Sequence, residues 1–228
     1  MKGIFRNDRV KELQNNRTPV KFLSGAKIVL HLMADSRSTI DPNYNIEIIE
    51  RNPNYLLPIK SLGMETSHTF DGFLTYTTEL DGSARSYAHL YRKGVIEAVE
   101  GSLVKAVVSK KEIPSIAFEE EILKTLPYYF EVLRRIDVQS PITIYLSFVN
   151  IKDYSMKLNQ EILGVQPIQY PDENLKLSDI FIENFNNIDN VPRMMQPVFD
   201  EVWNAFGMFK SFNYDEDGNW GYGLNMKD

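Results

Sequence analysis

Residues 69–101 constrain the fold more than any other stretch of this 228-residue chain. They read TFDGFLTYTTELDGSARSYAHLYRKGVIEAVEG, and aromatic and β-branched residues recur there with the period of two that is typical of a β-strand. Asp81-Gly82 predicts a turn, and Lys93-Gly94 predicts a tight hairpin in which the glycine adopts a positive φ. The sequence therefore predicts a three-stranded β-meander, with strands starting near positions 69, 85 and 95.

Apolar residues on both faces of the second meander strand indicate a sheet that is covered on both sides. Residues 26–33 (AKIVLHLM) and 141–149 (PITIYLSFV) are apolar enough to be two buried strands. Helical spacing of apolar residues is found near 116–136 and near 197–206. We therefore predict an α+β fold with a mixed, largely antiparallel sheet, in which these helices pack on a central meander at about 69–101. Shorter strands are expected at 45–50, 55–59 and 104–109.

Signals for helix ends accompany both predicted helices. Ser115 can cap the first helix, and Pro127 predicts a kink or a break inside it because proline cannot donate the helical hydrogen bond. The second helix is expected to begin at Gln196-Pro197 and to end at Gly207.

Composition narrows the possible chemistry. Hydrophobic residues make up 43% of the chain, which is enough for a core, and the absence of cysteine excludes disulfides, thiolate zinc sites and cysteine nucleophiles. With three histidines, a multi-histidine metal site is not expected. No apolar run is long enough to span a bilayer and no signal peptide opens the chain. We therefore expect a cytoplasmic protein with no membrane partner and no cofactor.

The N-terminal part of the chain is basic, although the net charge is −6. We interpret residues 1–25 as a leader or connector with a short amphipathic helix over 5–14, followed by a single domain over 26–228. One hypothesis is that this leader meets nucleic-acid phosphates, and the other is that it is a solvated surface segment. The candidate phosphate-binding residues are Arg6, Arg9, Lys11 and Arg17.

Carboxylates on the meander suggest a possible metal-dependent nuclease site. Asp71 and Glu97 are the candidate catalytic residues, since carboxylates gathered from neighbouring strands can hold Mg²⁺. Two features argue against it: Val99 stands where such nucleases carry a lysine, and Glu97 and Glu100 should point to opposite faces of their strand.

Other catalytic and metal-binding patterns are incomplete. Asn213, Asp215 and Asp217 match the opening of a calcium loop, but Leu224 stands where the closing glutamate belongs, so a structural turn is favoured. His31, inside an apolar strand, is expected to be a hydrogen-bonded core residue. The chain contains no GxxxxGK[ST] or GxGxxG phosphate-binding motif and no GxSxG nucleophile elbow.

Several short blocks together resemble a known family. They are FRNDR at 5–9, RTPV at 17–20, VLHL at 29–32, FDGF at 70–73, LYRKGVIEA at 90–98, PSIAFE at 114–119, FDEVWNA at 199–205 and NYD at 213–215. Taken together they resemble the C-terminal region of bacterial proteins that carry a Schlafen/AlbA-type DNA-binding domain at the N-terminus. The resemblance spans nearly the whole chain, but the N-terminal domain itself is absent. It implies that DNA binding belongs to that missing domain, and it supplies no catalytic residue.

These observations lead to one main functional expectation and two alternatives. The main expectation is a non-enzymatic accessory module that binds a partner protein or associates with itself. The alternatives are a hydrolase or nuclease with a carboxylate site on the meander, and direct nucleic-acid binding through the basic leader.

Overall fold

The computed structural model describes residues 2–34, 43–106, 110–158 and 166–221. Eight strands form one mostly antiparallel sheet, which together with the helices confirms the predicted α+β class. The helices are α1 (Lys2–Gln14), α2 (Glu47–Arg51), α3 (Ala117–Arg135) and α4 (Val191–Ala205). The strands are β1 (Lys27–Ala34), β2 (Glu65–Thr69), β3 (Gly72–Thr78), β4 (Ala84–Tyr91), β5 (Val95–Glu100), β6 (Glu112–Pro114), β7 (Ile142–Val149), β8 (Ser155–Lys157), β9 (Asn174–Lys176) and β10 (Ile180–Ile182).

The meander strands are neighbours in the sheet. Its strands follow the order β10-β7-β1-β5-β4-β3-β2, with β9 also paired to β7, whereas β6 and β8 form a separate parallel pair. Strand β1 thus lies between β5 and β7, to both of which it is antiparallel. Residues of one face, such as Leu32 and Ile96, join the main core with α3 and α4. The opposite face lies beneath α1 and the segment that follows it.

The meander is present as β3, β4 and β5, and its turns follow the predicted chemistry. Gly94 has a φ of 73° and lies in the turn between β4 and β5. The first strand is shorter than predicted, because Phe70 and Asp71 form a turn that separates β2 from β3. A Cβ at Gly72 would lie 2.1 Å from the carbonyl oxygen of Leu90, so that this strand can begin only with glycine.

Two predicted short strands are wrong. Residues 47–51 form α2, and residues 53–55 form a turn of 3₁₀ helix, followed by chain without regular structure. In this region the buried residues Ile46 and Ile49 are three apart, which is helical spacing, while Ile48 is exposed. Of the strand predicted at 104–109, residues 104–106 are not in a strand and 107–109 lie outside the described residues.

The predicted helix ends also need correction. Ser115 does not cap α3: Ile116 holds the cap position, with no side-chain hydrogen bond. Pro127 does not break α3, which runs continuously through it. Helix α4 begins at Val191, not at Gln196, because the Asn190 side chain accepts a 2.9 Å hydrogen bond from the Arg193 backbone N–H and caps the helix. Its predicted end is confirmed, since Gly207 follows with a φ of 85°.

Residues assigned to the leader take part in the folded core. Helix α1 is present but begins at Lys2 and not at Phe5, and its Val10 and Leu13 are buried against the sheet. The chain after α1 continues across the same face, where the backbone of Leu23 donates to the Ala84 carbonyl and Phe22 is buried. This arrangement brings the arginines of α1 over the polar side chains of the sheet.

Candidate functional site

A row of polar side chains crosses the sheet beneath α1. The strand register places His89 of β4 opposite Glu97 of β5, Glu97 opposite His31 of β1, and His31 opposite Tyr145 of β7. All four residues are buried. Since paired residues of adjacent strands project to the same face, their side chains form one continuous polar row.

Glu97 is the centre of this row. Its carboxylate accepts two 2.8 Å hydrogen bonds from the Arg9 guanidinium, one of 2.9 Å from His31 Nε2 and one of 2.7 Å from the Tyr87 hydroxyl. Burial by itself would raise the pKa of Glu97, but the hydrogen bonds from His31 and Arg9, together with the positive charge of Arg9, outweigh it and hold that pKa well below its usual range. The carboxylate is therefore ionised and saturated with donors, and it acts as an anchor for α1.

Arg6 provides the second anchor of α1. Its guanidinium donates to Ser147 Oγ at 3.0 Å and to the carbonyl oxygens of Leu177 and Leu146 at 2.8 and 2.7 Å. It also lies 5.1 Å from the centre of the Tyr145 ring, within the range of a cation–π contact. With Arg9 three residues further on, α1 is held to the sheet by two charged side chains on one helical face.

His89 connects this row to the turn before β3. Its Nε2 lies 2.9 Å from Thr69 Oγ1, and the Thr69 hydroxyl donates to Asp71 Oδ1 at 3.0 Å. Because the hydroxyl proton is directed to Asp71, the His89 Nε2 must carry the proton that it shares with Thr69. The Nδ1 atoms of His89 and His31 are buried and have no hydrogen-bond partner among the described residues.

The candidate nuclease pair is held apart by this histidine. Asp71 is on the turn, half-exposed, with Oδ1 3.6 Å from His89 Nε2, while Glu97 is fully buried in its contacts with Arg9, His31 and Tyr87. As expected, Glu97 and Glu100 lie on opposite faces: Glu97 faces α1, and Glu100 pairs with Ile28 of the main core. In the described ranges no group of three or more histidine and acidic side chains could hold a metal ion.

The four basic residues proposed to meet phosphates are not gathered into one basic surface. Arg6 and Arg9 are bonded to groups of the sheet, as described above. Arg17 is exposed and pairs with Glu12 at 3.2 Å, and Lys11 is exposed on the outer side of α1. His31, expected to be a hydrogen-bonded core residue, is fully buried and bonded to Glu97.

A second buried carboxylate, Glu119, lies at the start of α3 on the other side of the sheet. It accepts hydrogen bonds of 2.7–2.9 Å from Trp203 Nε1, Ser211 Oγ, Asn213 Nδ2 and Trp220 Nε1. Burial raises the pKa of Glu119, and these uncharged donors offset that rise only in part. The carboxylate thereby ties the segment 211–220 to α3 and α4.

The residues of the possible calcium loop belong to this second cluster. Asn213 is buried, and its amide donates to Glu119 and to the Ser115 carbonyl oxygen. Asp215 accepts hydrogen bonds from the backbone and side chain of Asn219. Asp217 is exposed, and Leu224, at the closing position, lies outside the described residues. The described part of the segment forms a turn whose first residue points into the protein.

An open groove of about 580 Å³ lies between α2 and the C-terminal end of α3. Its two arginines are already paired within the chain, Arg51 with Glu47 at 2.5 Å and Arg135 with Glu131 at 2.8 Å. Arg135 also stacks 3.9 Å above the Tyr55 ring. Both arginines of the groove are therefore already engaged within the chain.

Sequence reasoning missed both carboxylate clusters. Arg9 and Glu97 are 88 positions apart, and Glu119 and Asn213 are 94 apart, so no local spacing connects them. The signal that was available was the arginine pair on α1: a helix with so few apolar residues needs another means of attachment.

Comparison with protein-family models, with curated proteins and with solved structures finds no match to this chain. In the described part of the chain, no helix is long and apolar enough to cross a membrane.

Proposed function

We propose that this protein is a non-enzymatic interaction module that binds an extended segment of a partner protein along strand β2. The observation that carries the proposal is the open, unprotected edge that β2 gives to the sheet. Among the described residues, β2 pairs with β3 alone, so its other side presents unpaired backbone N–H and C=O groups. Such an edge can accept a further strand from another chain.

The composition of β2 supports this role. Edge strands that must stay unpaired commonly carry lysine, proline or a bulge, and β2 (ETSHT) contains none of these. Its one acidic residue, Glu65, is directed across the sheet, where it accepts hydrogen bonds from Tyr76 and Thr78 at 3.3 and 2.7 Å. The strand itself therefore carries no lysine that would deter pairing along its outer backbone.

The opposite edge of the sheet differs. It is divided between β9 and β10, which have three residues each and pair with different parts of β7. Arg6 donates to the carbonyl oxygen of Leu177, in the connection between them. A partner strand would find a shorter, interrupted ladder there than on the five residues of β2.

Exposed apolar side chains flank β2 at both ends. Phe70, on the turn after β2, is fully exposed, and Leu62, shortly before β2, is largely exposed. Large aromatic and aliphatic side chains are the usual anchors of a binding surface, whereas backbone pairing supplies alignment. The edge thus offers backbone groups that can pair with a partner strand and exposed apolar side chains that can contact the side chains of that strand.

The buried ionisable residues are bonded to other groups of the chain, which supports a non-enzymatic role. Glu97, Arg9, His31 and Tyr87 satisfy one another, and Glu119 is surrounded by four donors. In the described ranges these clusters serve to fix helices and segments on the sheet. If the resemblance to Schlafen/AlbA-type proteins holds, the module acts beside a DNA-binding domain, as an accessory.

The test compares two edges of the same protein. Thr66→Lys on β2 and Phe70→Ser on its turn are expected to abolish capture of a partner by the immobilised full chain, because they disturb pairing and remove an anchor. Phe181→Ser is the matched control, since Phe181 is a half-exposed phenylalanine on β10, at the other edge. The readout is quantitative mass spectrometry of proteins retained from a bacterial lysate, with light scattering to detect self-association.

Partners retained equally by all three variants would place binding elsewhere and contradict the proposal. Incubation of the wild type with DNA and RNA in the presence of Mg²⁺ addresses the rival activity. Cleavage that disappears in Asp71→Ala would replace this proposal with the nuclease alternative.

A further inference from the structure

Helix α1 is attached to the sheet through charged groups as well as apolar ones. Within the described part of α1, the side chains buried most deeply are Val10, Leu13 and Arg6, and Arg9 is four-fifths buried. Its two arginines are held by acceptors of the sheet, Arg9 by Glu97 and Arg6 by Ser147 and two carbonyl groups. A helix attached in this way is sensitive to any new charge placed beneath it.

His89 is a residue beneath α1 at which such a charge can arise. It is 3% exposed and has an Nδ1 atom without a hydrogen-bond partner among the described residues. The groups that face it are Thr69 of β2, Asp71 of the turn, Tyr91 of its own strand, Glu97 of β5 and Arg9 of α1. Above Tyr91 lies Phe5 of α1, with ring centres 5.7 Å apart.

From this geometry we infer that α1 is an acid-sensitive cover: protonation of His89 detaches α1 from the sheet while the strands stay paired. A proton on Nδ1 would create a buried N–H donor without an acceptor, close to the charge of Arg9. Detachment of α1 removes that charge and admits water, which can accept the new hydrogen bond. The released state exposes the Glu97 carboxylate, which is then free to bind a cationic group.

The direction of the pH effect follows from the environment of His89. Burial lowers the pKa of His89; the charges of Glu97 and Asp71 oppose this, and the charge of Arg9 adds a smaller lowering effect. A group with a lowered pKa takes up a proton more readily in the open state, where histidine has a pKa of about 6.5. The closed state is therefore favoured above that pH and loses its advantage as the pH falls, by about tenfold for each pH unit within the window.

The strands are expected to persist because their attachment is different. Strand β4 is hydrogen-bonded to β3 on one side and to β5 on the other, and the opposite face of these strands belongs to the main core. Helix α1 is packed on one face of the sheet alone, within the described residues. Local opening of α1 thus breaks fewer apolar contacts than separation of the strands.

The experiment is hydrogen exchange of the full chain, measured by mass spectrometry at about pH 7.5 and about pH 5.5, on either side of the pKa of free histidine. After correction for the intrinsic pH dependence, amides of α1 should exchange faster at the lower pH, by up to about tenfold, while those of β4 and β5 do not change. His89→Gln, which keeps a donor for Thr69, should abolish the acceleration. His68→Gln is the matched control, because His68 is exposed on β2 and does not lie under α1.

Asp71→Asn provides a second variant at a half-exposed site. Because Asp71 raises the pKa of His89 in the closed state, its neutralisation should widen the window of acceleration by extending it to lower pH. The inference is overturned if α1 does not exchange faster on acidification, if it does so equally in His89→Gln, or if β4 and β5 open to the same extent. It is also overturned if Asp71→Asn does not extend the acceleration to lower pH.

Discussion

Two buried glutamates, Glu97 and Glu119, lie on opposite sides of one sheet, and different kinds of hydrogen-bond donor surround their carboxylates. Each is fully buried and accepts four hydrogen bonds. The donors to Glu97 include the cationic Arg9, and the pKa of Glu97 lies well below its usual range. All donors to Glu119 are uncharged, and its pKa is raised by burial.

The difference shows that hydrogen-bond number alone does not determine the ionisation of a buried carboxylate. Neutral donors replace the hydrogen bonds of water, but a cation also supplies the charge interaction that compensates for the loss of solvent. Glu97 therefore attaches α1 through an ion pair, whereas Glu119 gathers the C-terminal segment through dipoles. The two clusters should respond differently to substitution and to pH.

The largest effect is expected from Glu97→Gln. Neutralisation leaves the Arg9 guanidinium largely buried without its counter-ion, and loss of one partner of such a pair costs about 3–5 kcal/mol. Urea-induced unfolding of the variant at neutral pH measures this difference. Glu65→Gln, at an exposed residue of β2, is the control and should lose far less. A loss at Glu97 no larger than that of the control would show that the ion pair does not stabilise the fold.

A smaller loss, about 1–3 kcal/mol, is expected for Glu119→Gln, because the new amide N–H groups face donors and leave buried groups unpaired. Both tryptophans of the chain, Trp203 and Trp220, donate to this carboxylate, so intrinsic fluorescence should change in the folded variant. Glu121→Gln on the same helix should leave both the stability and the emission nearly unchanged. If Glu119→Gln loses as much unfolding free energy as Glu97→Gln, the proposed difference between charged and neutral donors is wrong.

The free energy of unfolding should change with pH in opposite directions because of Glu97 and because of Glu119. Because the folded pKa of Glu97 is lowered, its contribution is present above about pH 4.3, the value for free glutamate, and is lost as the pH falls through the folded pKa. Because the folded pKa of Glu119 is raised, stability falls as the pH rises from that value through the folded pKa. Unfolding free energies measured across this range in both glutamine variants should lack the corresponding slope. Slopes of the same sign at both sites would contradict the assignment.

The smallest effect, a gain of about 1 kcal/mol, is expected for Lys27→Met. Lys27 is fully buried, donates to the Gly25 carbonyl oxygen, and has a pKa lowered to about 8 by burial. A lysine with a lowered pKa makes the wild type more stable as the pH rises from about 8 to about 10.4, the value for free lysine. The advantage of methionine, measured by urea unfolding, should therefore shrink over that interval. An advantage that is independent of pH would mean that it comes from packing and not from charge.

Much of the sheet could be predicted because its apolar strands carry local patterns. Residues 27–34 and 142–149 are buried on both faces and form continuous apolar runs. The turns of the meander are marked by the pairs Asp81-Gly82 and Lys93-Gly94. Strand β2 could not be predicted in this way, since an edge strand with five polar or small residues buries little and shows no alternation. The segment 45–50 was misread because its isoleucines fit both an alternating and a helical period.

The site was harder to predict because it depends on register. Whether His89, Glu97 and His31 share a face is decided by how three strands align, and a shift of one residue would have separated them. Arg9 reaches Glu97 only after α1 has packed on that face. The sequence singled out Arg9, His31 and Glu97 separately, but only tertiary pairing brought them together, with His89 beside them.

The position of β1 has a consequence for how the chain folds. The meander joins neighbours in sequence, so its hairpins can close early, whereas β1 precedes both of its partners and lies between them. During synthesis this apolar strand must remain unpaired until β5 has emerged, and its second side stays open until β7 follows. Strand β1, in the middle of the finished sheet, is thus synthesised well before its partners. Until they emerge, its unpaired backbone is open to aggregation.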